Sequence, residues 1–268
     1  MPAGVTCRTF DRWVAVMRAG MRRRRRQSAM TGRLKTQTVN RLMTAQHRDR
    51  RAGMTGDGDV LVDARRRALT PRGRDTRRRL LEATVSCLNA VGYSATTTQA
   101  VTEAAGVSRG SLLHQFQTRT YMMAAAAGFA MTGMIDSGRR RFAVLEEPVA
   151  RLRALCRIIE EVQREPAAFA LNEILLAARW EPELAACLRP LAENIERVMD
   201  ADIVRMAAEA GVADPEPLRV RSRALIAAMR GFSMELMFNA DRAAIHQAIR
   251  MTRADYDDFL SRTLENVA

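Results

Sequence analysis

From Thr70 onward, apolar residues recur every three to four positions along most of the chain, the period of a half-buried helix. Leu81, Thr84, Val85, Leu88 and Val91 make one stripe, with Arg78, Arg79, Glu82, Ser86 and Asn89 opposite. Thr70-Pro71 offers an N-cap and a first-position proline, and Gly92 a left-handed stop, so a helix is predicted over about 71–91. Further helices are predicted near 119–142, 148–163, 167–179, 182–210, 216–239 and 242–266, separated by proline and glycine breaks. Pro190 falls inside one of them and is expected to kink it. No run alternates as a strand would, and no repeat is evident, so the pattern predicts an all-α fold. Residues 1–69 hold no sustained period and read as a basic, disordered extension.

The stretch after Gly92 carries shorter signals. Thr96-Thr97-Thr98-Gln99 has the Thr-x-x-Gln spacing of a capping box, and Val101, Ala104 and Ala105 give the helix behind it a small apolar face. Gly106 ends that helix, Val107 is placed to plug the space between helices, and Ser108 caps a third. Leu112 and Phe116 then point back to the core at i, i+4. Two short helices joined by a glycine-containing turn form a helix-turn-helix, whose second helix enters the major groove by its N-terminal part.

The outward residues supply the chemistry. Gly110 allows close backbone approach, Arg109 can donate to guanine or phosphate, and Ser111, His114 and Gln115 can reach phosphate or base edges. Leu113 flanks this face and could meet a thymine methyl, and the helix starts near Thr97 and Ser108 suit phosphate oxygens. Arg72, Arg74, Arg77, Arg78 and Arg79 are either a solvated face or further phosphate contacts.

Gly92-Tyr93, Thr96-Thr97, Ala105-Gly106-Val107-Ser108, Gly110-Ser111-Leu112, Phe116 and Arg119 stand in an order that resembles the N-terminal domain of the TetR family of regulators, over about residues 76–123. The resemblance implies an all-α homodimer: a three-helix helix-turn-helix domain, then a divergent helical domain for effector binding and dimerisation. Those parts would be residues 70–120 and 121–268. The DNA-binding residues it suggests are Thr96, Thr97, Ser108, Arg109, Gly110, Ser111, Leu113, His114, Gln115 and Arg119. This chain departs from the family at Leu113, where tyrosine is usual, at Gln115, where an aromatic or histidine is common, and at Arg119, where lysine is common.

Charge changes the picture less than its size suggests. The chain of 268 residues carries +13. Residues 1–53 hold a surplus of 12 positive charges, residues 54–120 a surplus of 4, and residues 121–268 a deficit of 3. The first segment is expected to be a basic arm adding phosphate contacts, an inert tail, or no part of the natural protein, since a start at Met54 would leave a near-neutral chain. Cys7, Cys87, Cys156 and Cys187 are widely spaced, and with His47, His114 and His246 they make no zinc pattern, so no metal or other cofactor is expected. No stretch reads as a membrane span or signal peptide, and a cytoplasmic protein is expected. A nucleophile–base set and a phosphate loop are both missing, which argues against an enzyme.

In the C-terminal half, Met122, Met123, Phe129, Phe169, Asn172, Trp180 and Met234 are the candidate lining of an apolar pocket for an unknown small-molecule effector, with a plain core as the alternative. Leu225, Met229, Phe232, Leu236, Ile245 and Ile249 make a stripe suited either to a homodimer interface or to the internal core. The expected function is a ligand-responsive repressor binding a palindromic site on double-stranded DNA as a homodimer. An activator of the same fold and a non-specific binder driven by the arginine arm are the alternatives.

Overall fold

The computed structural model describes residues 70–265, all within one compact unit. The described elements are helices: α1 (Pro71–Ala95), α2 (Thr98–Ala105), α3 (Arg109–Gln115), α4 (Arg119–Ala143), α5 (Pro148–Gln163), α6 (Pro166–Ala178), α7 (Pro182–Glu209), α8 (Glu216–Phe238) and α9 (Ala243–Glu265). The fold is all-α, a helix-turn-helix head followed by a helical domain. Residues 1–69, where the basic arm was expected, lie outside the described residues.

Four of the starts follow from proline. Pro71, Pro148, Pro166 and Pro182 each open a helix, where a missing N–H costs nothing. Pro190 sits on the exposed side of α7, and the helix continues through it. Gly92, at φ 75°, breaks the helical path of α1 close to the predicted stop, and the assigned helix resumes to Ala95 beyond it. The reason is packing: a Cβ at position 92 would stand 3.3 Å from the Glu173 carboxylate, and Glu173 accepts the Tyr93 N–H at 2.9 Å. Val91, expected in the core stripe, is 56% exposed, and Tyr93 beyond the break is buried instead.

Two apolar clusters hold the molecule. The first joins Leu80, Leu88, Val101, Leu112 and Phe116 of the head to Met122, Met123, Leu171, Ile174, Leu184 and Leu188. The head therefore shares its core with α4, α6 and α7. The second gathers Leu152, Leu155, Ile203, Met206, Leu218, Leu225, Met229, Tyr256 and Leu260 from α5, α7, α8 and α9. Across it, the Tyr256 hydroxyl donates to the Leu152 carbonyl at 2.7 Å. Glu160 on α5, 4% exposed, accepts from Arg253 of α9 at 2.9 Å and pairs with Arg164 at 2.8 Å. No described helix is long and apolar enough to cross a membrane.

Candidate nucleic-acid interface

The head is built by satisfying short helix ends. The Thr97 hydroxyl caps α2 by accepting from the Ala100 N–H at 3.1 Å. Ser108 caps α3, accepting from the Ser111 N–H at 3.2 Å, and its hydroxyl lies 2.9 Å from that of Ser111. Thr118 caps α4 in the same way through the Tyr121 N–H at 3.2 Å. Gly106, at φ 60°, takes the left-handed turn that ends α2 and leads through Val107 to α3.

Three arginines then fix these helices to α1. Arg79 donates to the Ala105 carbonyl at 2.6 Å and the Gly106 carbonyl at 3.3 Å, clamping the turn. Arg77 lies over the Phe116 ring at 4.5 Å and donates to the Gln115 carbonyl at 3.2 Å. Arg119 donates to the Tyr93 carbonyl at 2.6 Å and the Thr96 carbonyl at 3.2 Å, and lies over the Tyr93 ring at 4.3 Å. Arg77 and Arg79 therefore hold the head together instead of forming a solvated face. Arg78 pairs with Asp75 and Glu82 on its own helix.

These contacts sort the ten predicted DNA-binding residues. Ser108, Arg109, Gly110, Leu113 and His114 are exposed on one side of α3, and Thr97 is exposed at the start of α2. Ser111 is half-buried. Leu113 is 52% exposed, so its side chain is available at the surface instead of being packed away. Arg109 makes no hydrogen bond or ion pair with any described residue. Three residues leave this face. Thr96 is fully buried and its hydroxyl donates to the Gly92 carbonyl at 2.8 Å; the α2 cap falls one residue later, at Thr97, and Gln99 turns to Glu103 at 2.9 Å. The expected capping box therefore does not form. Arg119 is spent on backbone carbonyls, and Gln115 donates to the Gly73 carbonyl at 3.2 Å. In each case a buried or half-buried polar group takes the nearest carbonyl, which burial makes obligatory.

Tyr93 carries the head's link to the C-terminal helices. Its hydroxyl donates to Glu181 at 2.8 Å, and burial together with that bond pushes its pKa up to about 12. Sequence periodicity missed Tyr93, because the break at Gly92 resets the helical phase.

A cavity of about 560 Å³ opens between α4, α5, α7 and α8, lined by Met131, Met134, Ile158, Ile203, Ile226 and Arg230 among others. None of the seven residues predicted for an effector pocket lines it. Met122 and Met123 are fully buried in the first cluster, and Phe129 packs against that cluster. Phe169 is half-buried on α6, and Asn172 is buried there with an amide nitrogen that has no partner. Trp180 is exposed at the α6–α7 turn under Arg179, and Met234 lies half-buried on α8. Composition pointed to methionines, but only packing decides which methionines border a void.

The predicted dimer stripe divides on the same ground. Leu225, Met229 and Ile249 are buried within a single chain, and Phe232, Leu236 and Ile245 pack against the same cluster. Leu225, Met229 and Ile249 are thus enclosed by their own chain, while Phe232, Leu236 and Ile245 keep part of their surface.

The geometry is that of a helix-turn-helix. Comparison with known proteins refines this. Residues 80–126 match the profile of the bacterial regulatory proteins, tetR family. An uncharacterised HTH-type transcriptional regulator of Mycobacterium bovis is 28% identical over 131 residues, which cover 48% of this chain and 67% of that protein. A solved structure assigned to the TetR family from Mesorhizobium loti superposes with a TM-score of 0.56 at 17% identity, covering 72% of this chain and 98% of that one. A TetR transcription regulator from Haloarcula marismortui gives a TM-score of 0.52 at 21% identity, over 69% and 97% of the two chains. Residues 80–126 are therefore similar to the DNA-binding domain of the TetR family of transcriptional regulators, and the described helices share the fold of solved members of that family.

Proposed function

We propose that this protein is a ligand-responsive repressor that binds a near-palindromic operator as a homodimer in the cytoplasm. The observation that carries the DNA reading is Arg109: a cation without a described partner, at the exposed N-terminal turn of α3, beside Gly110 and Ser108. A recognition helix reads base edges through that turn. Arg109 would take a guanine or a phosphate, Leu113 a thymine methyl, and Thr97, Ser108, Ser111 and His114 the backbone or flanking edges.

A dimer is supported by the outer side of α8. Val220, Ala224, Ala227, Gly231 and Phe238 recur on one exposed stripe, opposite Leu225 and Met229, and Phe238 is 89% exposed. A Cβ at Gly231 would meet nothing within 4 Å, so the chain's own packing does not require glycine there. Small residues let a second copy of the helix approach closely. Met251 and Ala254 of α9 are exposed as well. The arginine of A227R should leave the fold intact and halve the particle mass in sedimentation; a variant that stays the size of wild type would count against this interface.

Ligand response is supported by two helices that reach both sites. α4 begins at Arg119, tied to the head, and lines the cavity through Met131 and Met134. α6 lines it through Leu171 and holds Tyr93 through Glu173. A ligand that shifts either helix would change the separation of two heads that must match a half-site spacing of roughly 34 Å.

The test is binding of purified protein to its own upstream DNA against random DNA at about 0.15 M salt. Specific protection of two half-sites is expected, and equal binding to both DNAs refutes the proposal. Reporter transcription in a deletion strain should rise; a fall would make the protein an activator.

A further inference from the structure

We infer that the C-terminal cavity takes an apolar carboxylate, whose head group pairs with Arg230; this rests on the proposal that the cavity is the effector site. The cavity walls are largely aliphatic, with Met131, Met134, Ile158 and Ile226 among them. Its volume of about 560 Å³ lies inside the range of roughly 300–1,000 Å³ typical of small-molecule sites. Five charged side chains line it, and four of them neutralise one another or a rim acid. Arg139 pairs with Asp202 at 2.9 Å, Arg205 with Asp202 at 3.0 Å, and Arg151 with Glu209 at 2.7 Å.

Arg230 is the exception. It has no carboxylate among the described residues, and its buried Nε has no hydrogen-bond acceptor. Its own helix offers none, because Ile226, Ala227, Ser233 and Met234 occupy the positions three and four residues away. Burial pulls its pKa down, the direction expected for a cation without a counter-charge. A guanidinium stays protonated in proteins, so the site keeps a positive charge in a mostly apolar chamber. A carboxylate supplies planar acceptors matched to that fork, and an apolar body fills the rest. Gln163, buried on the same wall, has an amide oxygen without a partner and adds a second polar point for a substituent on the ligand. An amine would meet like charge, and a neutral alcohol would leave the guanidinium uncompensated.

Calorimetric titration of the full chain with dodecanoate, dodecanol and dodecylamine, and with 2-naphthoate and its alcohol, tests this. At least one acid should bind about tenfold or more tightly than its neutral and cationic analogues. R230M should weaken acid binding by about tenfold or more while leaving the alcohol unchanged, and R230K should keep part of it. R205M, which removes a paired cation from the same wall, should change acid affinity less than about twofold. The inference is overturned if acid and alcohol bind alike, if R230M binds acid as wild type does, or if neither acid binds. Operator binding by ligand-free wild type is measured alongside. Its persistence with no acid bound overturns the ligand class alone, and its absence overturns the DNA-binding proposal instead.

Discussion

The helix-turn-helix head and the C-terminal helices differ in where most of their helix-bridging arginines go. In the head, Arg77, Arg79 and Arg119 donate to main-chain carbonyls of Gln115, Ala105, Gly106, Tyr93 and Thr96. In the C-terminal half, Arg139, Arg151, Arg219, Arg223 and Arg253 reach carboxylates on other helices. The head consists of short helices, whose unpaired end carbonyls are a large fraction of its polar groups. Using arginine there ties the turn to the first helix through neutral acceptors. In the longer helices carbonyls are mostly spent within the helix, and the arginines that bridge helices do so mainly through acids. Against the second pattern, Arg230 lines the cavity with a buried Nε that has no acceptor among the described residues.

The comparison can be broken most severely in the C-terminal half. Met229→Ala removes a fully buried side chain of the second cluster and should cost about 2–5 kcal/mol. Thermal melting should fall by roughly 5–15 °C, while operator affinity measured well below the transition stays near wild type. In the head the expected asymmetry is reversed. Arg109→Ala should leave melting unchanged and weaken specific binding by about 1–3 kcal/mol, with lost preference at one base position. Loss of stability in that variant would show that Arg109 serves packing. A smaller effect is expected from Ser108→Ala, about 1 kcal/mol of stability from one lost cap, read by urea titration.

The smallest effect concerns the link between the two regions. Tyr93 holds its proton more tightly in the folded chain, its pKa raised from 10.0 to about 12 by burial and the bond to Glu181. Between those values the unfolded chain releases the proton first, so the stabilisation is intact below pH 10 and declines up to about pH 12. Subtracting the Tyr93→Phe curve from wild type isolates this slope from Tyr256 and the cysteines. A difference that stays flat from pH 9 to 12 would mean that burial and the Glu181 bond together leave this hydroxyl unshifted.

Much of the fold could be read before any coordinates. The helix starts at Pro71, Pro148, Pro166 and Pro182 were legible because proline's fixed φ and missing N–H act on the chain locally. The inward Leu112 and Phe116, the Gly106 turn and the Ser108 cap were legible for the same reason: each is settled within one turn of backbone. The capping box failed because Thr96 met a non-local alternative. Buried under α4, its hydroxyl and carbonyl were claimed by Gly92 and Arg119, and the cap passed to Thr97.

The site was legible in outline and not in detail. Periodicity places Leu225, Met229 and Ile249 on an apolar stripe but cannot say whether that stripe meets its own chain or another, since both bury the same side chains. In the structure these three lie in the second cluster of their own chain, and Val220, Ala227 and Gly231 lie outside it. A cavity is likewise a property of several helices at once: Met131 lines it and Met123, two turns earlier on the same helix, does not.

By itself, then, the sequence determined the helices, the Ser108 cap, the Gly106 turn and the helix-turn-helix, because these follow from dihedral preference and hydrogen bonding over a few residues. Only tertiary packing decided which polar side chains face outward, which apolar stripe stays exposed, and that Arg230 borders a void without a counter-charge. Those outcomes depend on which groups distant in the chain arrive beside them.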